Sequence, residues 1–101
     1  MTSTRYSFEW DPIKAKQNLR KHKVSFGTAA TVFLDRLAVS VPDDEHSETE
    51  ERWVTLGQPR LGSLLVVIHT FRELAGQGVT IRIISARPAT RRERERYEEN
   101  R

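Results

Sequence analysis

The feature that most constrains this chain is a change in hydrophobic period near residue 37. Before it, apolar residues recur at spacings of three and four, and after it they alternate or form short continuous runs. The first spacing is typical of helices that pack on one side, and the second is typical of strands. The run SLLVVIHTF (63–71) is nearly continuous, as in a strand at the centre of a sheet. The chain therefore combines helices with a sheet.

The first part of the chain predicts a short strand followed by a helix. YSFEW (6–10) alternates apolar and polar residues. Asp11 suits the N-cap and Pro12 the first helical position, where a missing N–H is harmless. Ile13, either Ala15 or Lys16, and Leu19 are expected to form one narrow apolar side of this helix.

A second helix is predicted within VSFGTAATVFLD (24–35). Ser25 is the expected N-cap. Apolar residues then recur at helical spacing and predict one buried side made of Phe26, Ala29, Ala30 and Phe33.

The second part predicts strands and a final helix. The expected strands are LAVSV (37–41), RWVTLG (52–57), SLLVVIHTF (63–71) and GVTIRIISA (78–86). Thr90 and Glu93 match the capping-box pattern at the start of the last helix. The predicted fold class is α+β, with N-terminal helices and a C-terminal helix packed on a small, mainly antiparallel sheet, in one domain over residues 1–101.

Composition excludes several kinds of chemistry. With no cysteine, the chain has no disulfide, thiol nucleophile or cysteine metal site. We expect a cytoplasmic protein, because no signal peptide or membrane-length apolar run is present. DDEHSETEE (43–51) lacks the spacing of a calcium loop or a zinc helix, and is interpreted as a solvated loop. No metal is therefore expected, and the lack of a glycine-rich phosphate loop indicates that no nucleotide cofactor is needed; no other cofactor is predicted.

Charge is distributed unevenly along the chain. Residues 1–36 hold seven Lys or Arg against three acids, whereas residues 37–61 hold two against six. A basic front of this kind is consistent with a surface that binds a polyanion. A mixed, solvated surface explains the charge pattern equally well.

The C-terminal stretch SARPATRRERERYEEN (85–100) places arginines where a helix begins. Cations are unfavourable there, because the N-terminus of a helix carries partial positive charge. A bound phosphate would reverse this preference. Helical spacing predicts that Arg87, Arg91 and Arg94 project from one side, and the alternative is a surface helix with ordinary Arg–Glu pairs.

Four further residues have two interpretations each. His69 and Arg82 interrupt neighbouring apolar strands, which predicts one sheet face that opens into a site; a satisfied core histidine is the alternative. Trp53 either stacks on a base or fills the core, and Tyr97 either contacts a substrate or anchors the last helix.

Several phrases together closely resemble the BrnT family of bacterial type II toxins. They are FEWDPIKAKQNLRKHKVSF (8–26), PDDEHSETEERWVTLG (42–57), LLVVIHTF (64–71) and IRIISARPATRRERERYEE (81–99). The resemblance covers residues 7–99 and implies a RelE-like fold. It also implies a metal-independent endoribonuclease that cleaves RNA by 2′-hydroxyl attack and arrests translation. The implied partner is a BrnA-type ribbon-helix-helix antitoxin, in a heterotetramer with two copies of each chain, which binds operator DNA only through the antitoxin.

This resemblance leads to a hypothesis about individual residues. Arg87 and Arg91 would hold the scissile phosphate, His69 would be general acid or base, and Tyr97 would orient or protonate the leaving group. Supporting contacts to RNA are expected from Arg52, Arg82, Lys14, Lys21, His22, Arg92 and Arg94. The alternative function is a module that binds nucleic acid or a protein partner without cleaving.

Overall fold

The computed structural model describes residues 5–46 and 50–99. Its helices and strands, in chain order, are β1 (Tyr6–Glu9), α1 (Pro12–His22), α2 (Phe26–Ala30), β2 (Val39–Pro42), β3 (Arg52–Gly57), β4 (Leu65–Leu74), β5 (Gly78–Pro88) and α3 (Arg91–Glu99). Short 3₁₀ helices occupy Thr31–Leu34 and Asp44–His46. None of the helices in these ranges has the length and apolar character that a membrane span requires.

The five strands form one sheet in the order β1-β5-β4-β3-β2. β1 runs parallel to β5, and the other neighbouring pairs are antiparallel. The predicted α+β class with a mainly antiparallel sheet is thus confirmed. The continuous apolar run lies in β4, the middle strand of the sheet, where Leu65, Val66 and Val67 are all buried although successive side chains point to opposite faces.

The predicted helix caps are also confirmed. Asp11 Oδ1 accepts a hydrogen bond from the Ile13 N–H at 2.8 Å, and Pro12 follows as the first residue of α1. Ser25 Oγ accepts from the Thr28 N–H at 3.1 Å. A side-chain cap of this kind typically stabilises a helix by about 1 kcal/mol.

The main core lies between one face of the sheet and the helices. Phe26, Ala29 and Val32 from the helical layer pack there on Leu65, Val67, Val79, Ile81, Ile83 and Ala86 of the sheet. We call this side of the sheet the helix face, and the other side the open face. The 3₁₀ helix approaches β3 so closely that a Cβ on Gly57 would lie 2.6 Å from Val32 Cγ1.

The prediction for the buried side of α1 is wrong for two of its residues. Ile13 is 67% exposed and Leu19 is 50% exposed. Ala15 does pack against the core, and α1 is buried further through Asn18, which was not predicted. The Asn18 amide donates to the carbonyls of Ala86 at 2.9 Å and Val24 at 3.0 Å, and its oxygen accepts from the Ala86 N–H at 3.1 Å.

The reason for this packing is the short length of β1. β1 pairs with β5 only as far as Glu9, which lies opposite Arg82. Beyond that point the edge of β5 has free backbone groups, and buried backbone groups require partners. The side chain of Asn18 supplies them at Ala86.

Candidate active site

A row of polar side chains crosses the open face of the sheet. Arg52 on β3 lies opposite Thr70 on β4, Thr70 lies opposite Arg82 on β5, and Arg82 lies opposite Glu9 on β1. Residues paired in this way point to the same side of a sheet. Two arginines, one threonine and one glutamate therefore share one strip of surface.

Three members of this row, Thr70, Arg82 and Glu9, line a polar cleft of about 230 Å³, which we call the arginine cleft; Arg52 stands next to it, beside Thr70. It is lined by Glu9, Glu50, Glu51, Thr70, Phe71, Arg72, Thr80 and Arg82. The Glu50 carboxylate accepts a close hydrogen bond from Arg82. Guanidinium groups bind phosphate oxygens in two-point contacts, and a neighbouring carboxylate can accept a proton. The cleft thus combines the two kinds of group that phosphodiester chemistry uses.

Arg87 lies on the open face too, but not on a helix. It is part of β5, opposite Val66, because β5 extends to Pro88 rather than ending at residue 86. The predicted alignment of Arg87 with Arg91 and Arg94 on one helical side is therefore wrong. The side chains of a strand and of the helix that follows it do not share a helical period.

Arg87 is held by an acidic partner in the first turn of α3. Its Nη1 and Nη2 donate to Glu93 Oε1 and Oε2 at 2.8 and 2.9 Å. The hydrogen bonds from Glu93 raise the pKa of Arg87, although partial burial acts against them. The same hydrogen bonds from Arg87 are the largest cause that lowers the pKa of Glu93 to about 2.

The helical arginines are more exposed. Arg91 Nε lies 3.5 Å from Glu95 Oε1, and the Arg91 side chain is 94% exposed. Arg92 and Arg94 are exposed as well, and Arg94 borders a second cleft, of about 280 Å³, beside Tyr97. The exposed Lys14 and Lys21 and the half-buried His22 belong to α1, in the helical layer.

Tyr97 is buried at the end of the sheet and tied to the 3₁₀ helix. Its hydroxyl donates to Asp35 Oδ2 at 2.6 Å. Asp35 also accepts from the backbone N–H groups of Gln58 and Leu37, at 2.8 and 3.0 Å. Partial burial acts to raise the pKa of Asp35, but these hydrogen bonds outweigh it and lower the pKa. The geometry is that of an anchor for α3.

His69 lies on the helix face and is only 3% exposed. Its Nδ1 is 3.2 Å from the Thr70 carbonyl, and its Nε2 is 2.7 Å from Thr55 Oγ1. Since a carbonyl only accepts, Nδ1 carries the proton and Nε2 accepts from Thr55. Thr55 Oγ1 in turn lies 2.7 Å from Ser40 Oγ. Burial lowers the pKa of His69 to about 4, so the imidazole is neutral near pH 7.

The imidazole forms part of a mainly aromatic pocket of about 180 Å³ on the helix face. We call this the aromatic pocket. It is lined by Tyr6, Phe33, Ser40, Trp53, His69, Phe71 and Ile81. Phe33 meets the imidazole edge-to-face, with 4.7 Å between ring centroids.

The structure does not bring together the four residues predicted as catalytic. His69 and Arg82 do not share a face, because His69 pairs with Ile83 and Arg82 with Thr70. A register shift beside His69 leaves Ile84 as the extra residue of β5. Arg87 lies on the face opposite His69, and Tyr97 is occupied at the end of the sheet. Arg52 and Arg82, which were predicted as supporting contacts, do share one face, on either side of Thr70.

Glu9, Glu50 and Thr70 were not among the predicted site residues. Glu50 belongs to an acidic run that looks like an ordinary solvated loop, and only the start of β3 brings it beside Arg82. Within residues 5–46 and 50–99, no three His, Asp or Glu side chains are grouped to hold a metal ion. Residues 47–49 of the predicted loop lie outside the described residues.

A family model for the ribonuclease toxin BrnT of type II toxin–antitoxin systems matches residues 10–93. The chain belongs to the BrnT family. The match includes the Arg87–Glu93 pair of this BrnT-family chain and the residues that line the arginine cleft, except Glu9. Comparison with curated protein sequences gives no match.

A solved structure agrees with this family at the level of fold. The crystal structure of the Brucella abortus ribonuclease toxin BrnT superimposes with a TM-score of 0.59 and 21% sequence identity. The alignment covers 87% of the present chain and 100% of the Brucella chain. At this identity the similarity concerns the arrangement of helices and strands that BrnT-family chains share.

Proposed function

We propose that this BrnT-family protein is a metal-independent endoribonuclease that cleaves RNA in the arginine cleft and thereby arrests translation. The observation that carries the proposal is the row formed by Arg52, Thr70 and Arg82, with Glu50 bound to Arg82. The family description as a ribonuclease toxin gives the class of reaction.

In the proposed reaction, Glu50 is the general base, water is the proton donor, and two arginines bind the phosphate. Glu50 takes the proton of the RNA 2′-hydroxyl, and the 2′-oxygen attacks the adjacent phosphorus. Arg82 and Arg52 neutralise the charge that builds on the phosphoryl oxygens. The bond to the 5′-oxygen breaks, this oxygen takes a proton from water, and the products carry a 2′,3′-cyclic phosphate and a 5′-hydroxyl. One preorganised donor of this kind is typically worth about 3 kcal/mol in the transition state.

The other predicted RNA contacts extend the binding surface away from the cleft. Arg87 lies on the same face as Arg82, five residues further along β5, at a distance of about 15 Å. The exposed arginines of α3, Arg91, Arg92 and Arg94, continue from there. In this proposal they bind the RNA backbone, and His69 and Tyr97 take no part in proton transfer.

Incubation of the purified protein with single-stranded RNA in EDTA tests the reaction. Fragments that end in a cyclic phosphate are the expected result. Arg82→Gln and Glu50→Gln should each lower the cleavage rate by about 10²-fold or more, with folding unchanged. Arg60→Gln and Glu45→Gln change exposed residues outside the cleft and serve as matched controls.

Two results would contradict this function. Cleavage that appears only after a divalent metal is added would exclude the metal-independent reaction. RNA binding without any fragments would favour the alternative, a non-catalytic binding module, for which the Arg–Glu pairs would be simple surface contacts.

The family is described as a toxin of type II toxin–antitoxin systems, which supports the expectation that a protein antitoxin binds this chain. We propose a BrnA-type ribbon-helix-helix antitoxin in a complex with two copies of each chain, in which only the antitoxin contacts operator DNA. Co-expression with the antitoxin and measurement of the mass of the complex tests the stoichiometry. A mass equal to one copy of each chain would contradict it.

A further inference from the structure

We propose that the aromatic pocket binds one unpaired nucleobase of the RNA whose backbone lies in the arginine cleft. This inference rests on the proposed function, since it takes RNA as the ligand. It adds a second contact site, on the other face of the sheet, that reads a base instead of a phosphate.

The pocket has the size and exposure that a single ring requires. Its volume is about 180 Å³, and a cavity of roughly 150 Å³ accommodates benzene. Tyr6 and Phe71 at its border are each 43% exposed, although large aromatic side chains are usually covered. These rings are therefore accessible to a ligand.

The rings form two pairs that belong to different elements. Tyr6 of β1 and Phe33 of the 3₁₀ helix have centroids 6.5 Å apart and planes inclined by 46°. Trp53 of β3 and Phe71 of β4 are also 6.5 Å apart, inclined by 60°. Unpaired bases in protein–RNA complexes stack on such rings, because every base offers a π-face.

The hydrogen bonds at His69 determine which polar group the pocket presents. His69 Nε2 accepts from Thr55, so the Thr55 oxygen accepts from the Ser40 hydroxyl. The Ser40 proton is thereby committed to Thr55, and the free lone pair of Ser40 Oγ is available to a ligand. The pocket consequently offers an acceptor, which suits an amino or imino N–H on the edge of a base.

The two sites adjoin at Phe71, which lines both the aromatic pocket and the arginine cleft. β3 begins at Arg52, opposite Thr70, whereas β4 continues to Leu74. Among the described strands, the residues of β4 from Phe71 to Leu74 have no partner in β3. Because the two sites share Phe71, an RNA strand whose phosphate is bound in the cleft has a neighbouring base within reach of the pocket.

Binding of an uncleavable RNA separates base contacts from catalysis. The probe is a short 2′-O-methyl oligoribonucleotide, compared with the same oligonucleotide made abasic at one position. In a Trp10→Phe background, Trp53 is the single tryptophan and reports stacking by its fluorescence. We expect quenching by the complete oligonucleotide and markedly weaker quenching by the abasic one.

Phe71→Ala should weaken binding of the complete oligonucleotide by roughly 5- to 150-fold. Leu74→Ala is the matched control, because Leu74 is on the same strand, 38% exposed and outside the pocket. The loss from Phe71→Ala should be similar at low and high salt. The loss from Arg82→Gln should shrink at high salt, as expected of a phosphate contact.

Equal affinity for the complete and the abasic oligonucleotide would overturn the inference. So would Phe71→Ala and Tyr6→Ala variants that bind like the parent protein. Self-association that disappears in Phe71→Ala, with no response to oligonucleotide, would assign the pocket to a second copy of the chain. If the complete oligonucleotide quenches more strongly than the abasic one but the protein cuts no RNA, the proposed function would be contradicted, whereas base binding in the pocket would be supported.

Discussion

Arg87 and Glu93 are joined by two parallel hydrogen bonds, of 2.8 and 2.9 Å, that link the end of β5 to the first turn of α3. Glu93 Oε1 also accepts from the Thr90 N–H at 2.8 Å, and Thr90 Oγ1 accepts from the Glu93 N–H at 3.2 Å. The predicted capping box is thus confirmed, and its acid has a second partner. An arginine just ahead of this helix does not destabilise it, because the Glu93 carboxylate binds both the guanidinium group and the backbone N–H of Thr90 at the helix end.

The variant Glu93→Gln should show how much this contact contributes to the free energy of unfolding. The pKa of Glu93 is lowered to about 2, so the pair stabilises the fold above about pH 4.5 and this stability is lost as the pH falls toward 2. Because the two side chains are 41% and 29% exposed, solvent screening limits the effect of Glu93→Gln to about 1 kcal/mol. Urea unfolding at pH 7 and at pH 3 measures it. Glu98→Gln, on the same helix, should change little, and an equal loss in both variants would contradict the prediction.

His69 should make stability depend on pH in a different range. The unfolded imidazole takes a proton below about pH 6.5, whereas burial keeps the folded one neutral down to about pH 4. The unfolded state therefore binds more protons in this range, and the free energy of unfolding falls as the pH is lowered from 6.5 to 4, by on the order of 3 kcal/mol. Urea titrations between pH 7.5 and 4.5 measure the slope. His69→Asn should flatten it and His22→Asn should not; a slope that survives in His69→Asn would assign it to other groups.

Tyr97→Phe distinguishes an anchor from a catalytic residue. Loss of the 2.6 Å hydrogen bond to Asp35 should lower the free energy of unfolding by about 2 kcal/mol, because the acceptor is charged. The cleavage rate of the folded protein should be unchanged at a temperature well below the midpoint of unfolding. Tyr6→Phe is the control for stability. A cleavage rate reduced by 10²-fold with unchanged stability would restore Tyr97 to the reaction.

Asn18→Ala should be among the most damaging single changes in α1. It leaves the N–H and C=O of Ala86 and the C=O of Val24 without their partner inside the protein. We expect a loss of about 3 kcal/mol in the free energy of unfolding. Gln17→Ala, at the neighbouring exposed position, should stay within about 0.5 kcal/mol. Similar thermal midpoints for the two variants would contradict this role of Asn18.

The sequence predicted which helices and strands form more reliably than where the strands end. RWVTLG matches β3 from Arg52 to Gly57, whereas β4 and β5 extend beyond their predicted ends, to Leu74 and Pro88. The two extra residues of β5 remove Arg87 from the helix and place it on the open face. Strand ends depend on pairing with a neighbour, which periodicity along one strand does not contain.

The predicted catalytic residues His69 and Arg87 lie on opposite faces of the sheet. Arg52 and Arg82 were predicted as RNA contacts, and the register places them in one row with Thr70. His69 was predicted as general acid or base because it interrupts an apolar strand, with a satisfied core histidine as the alternative. Thr55, fourteen residues away, satisfies it in the interior. Nothing in the local sequence indicates that partner.

What the sequence alone determined is the order of helices and strands, their caps and the α+β class, because these depend on side chains within a few positions of one another. Only the tertiary structure decided which arginines share a face, which glutamates they bind, and that the imidazole at position 69 is enclosed among aromatic rings. Those contacts follow from strand register and from where each strand ends. A shift of one residue in register would exchange the two faces of the sheet.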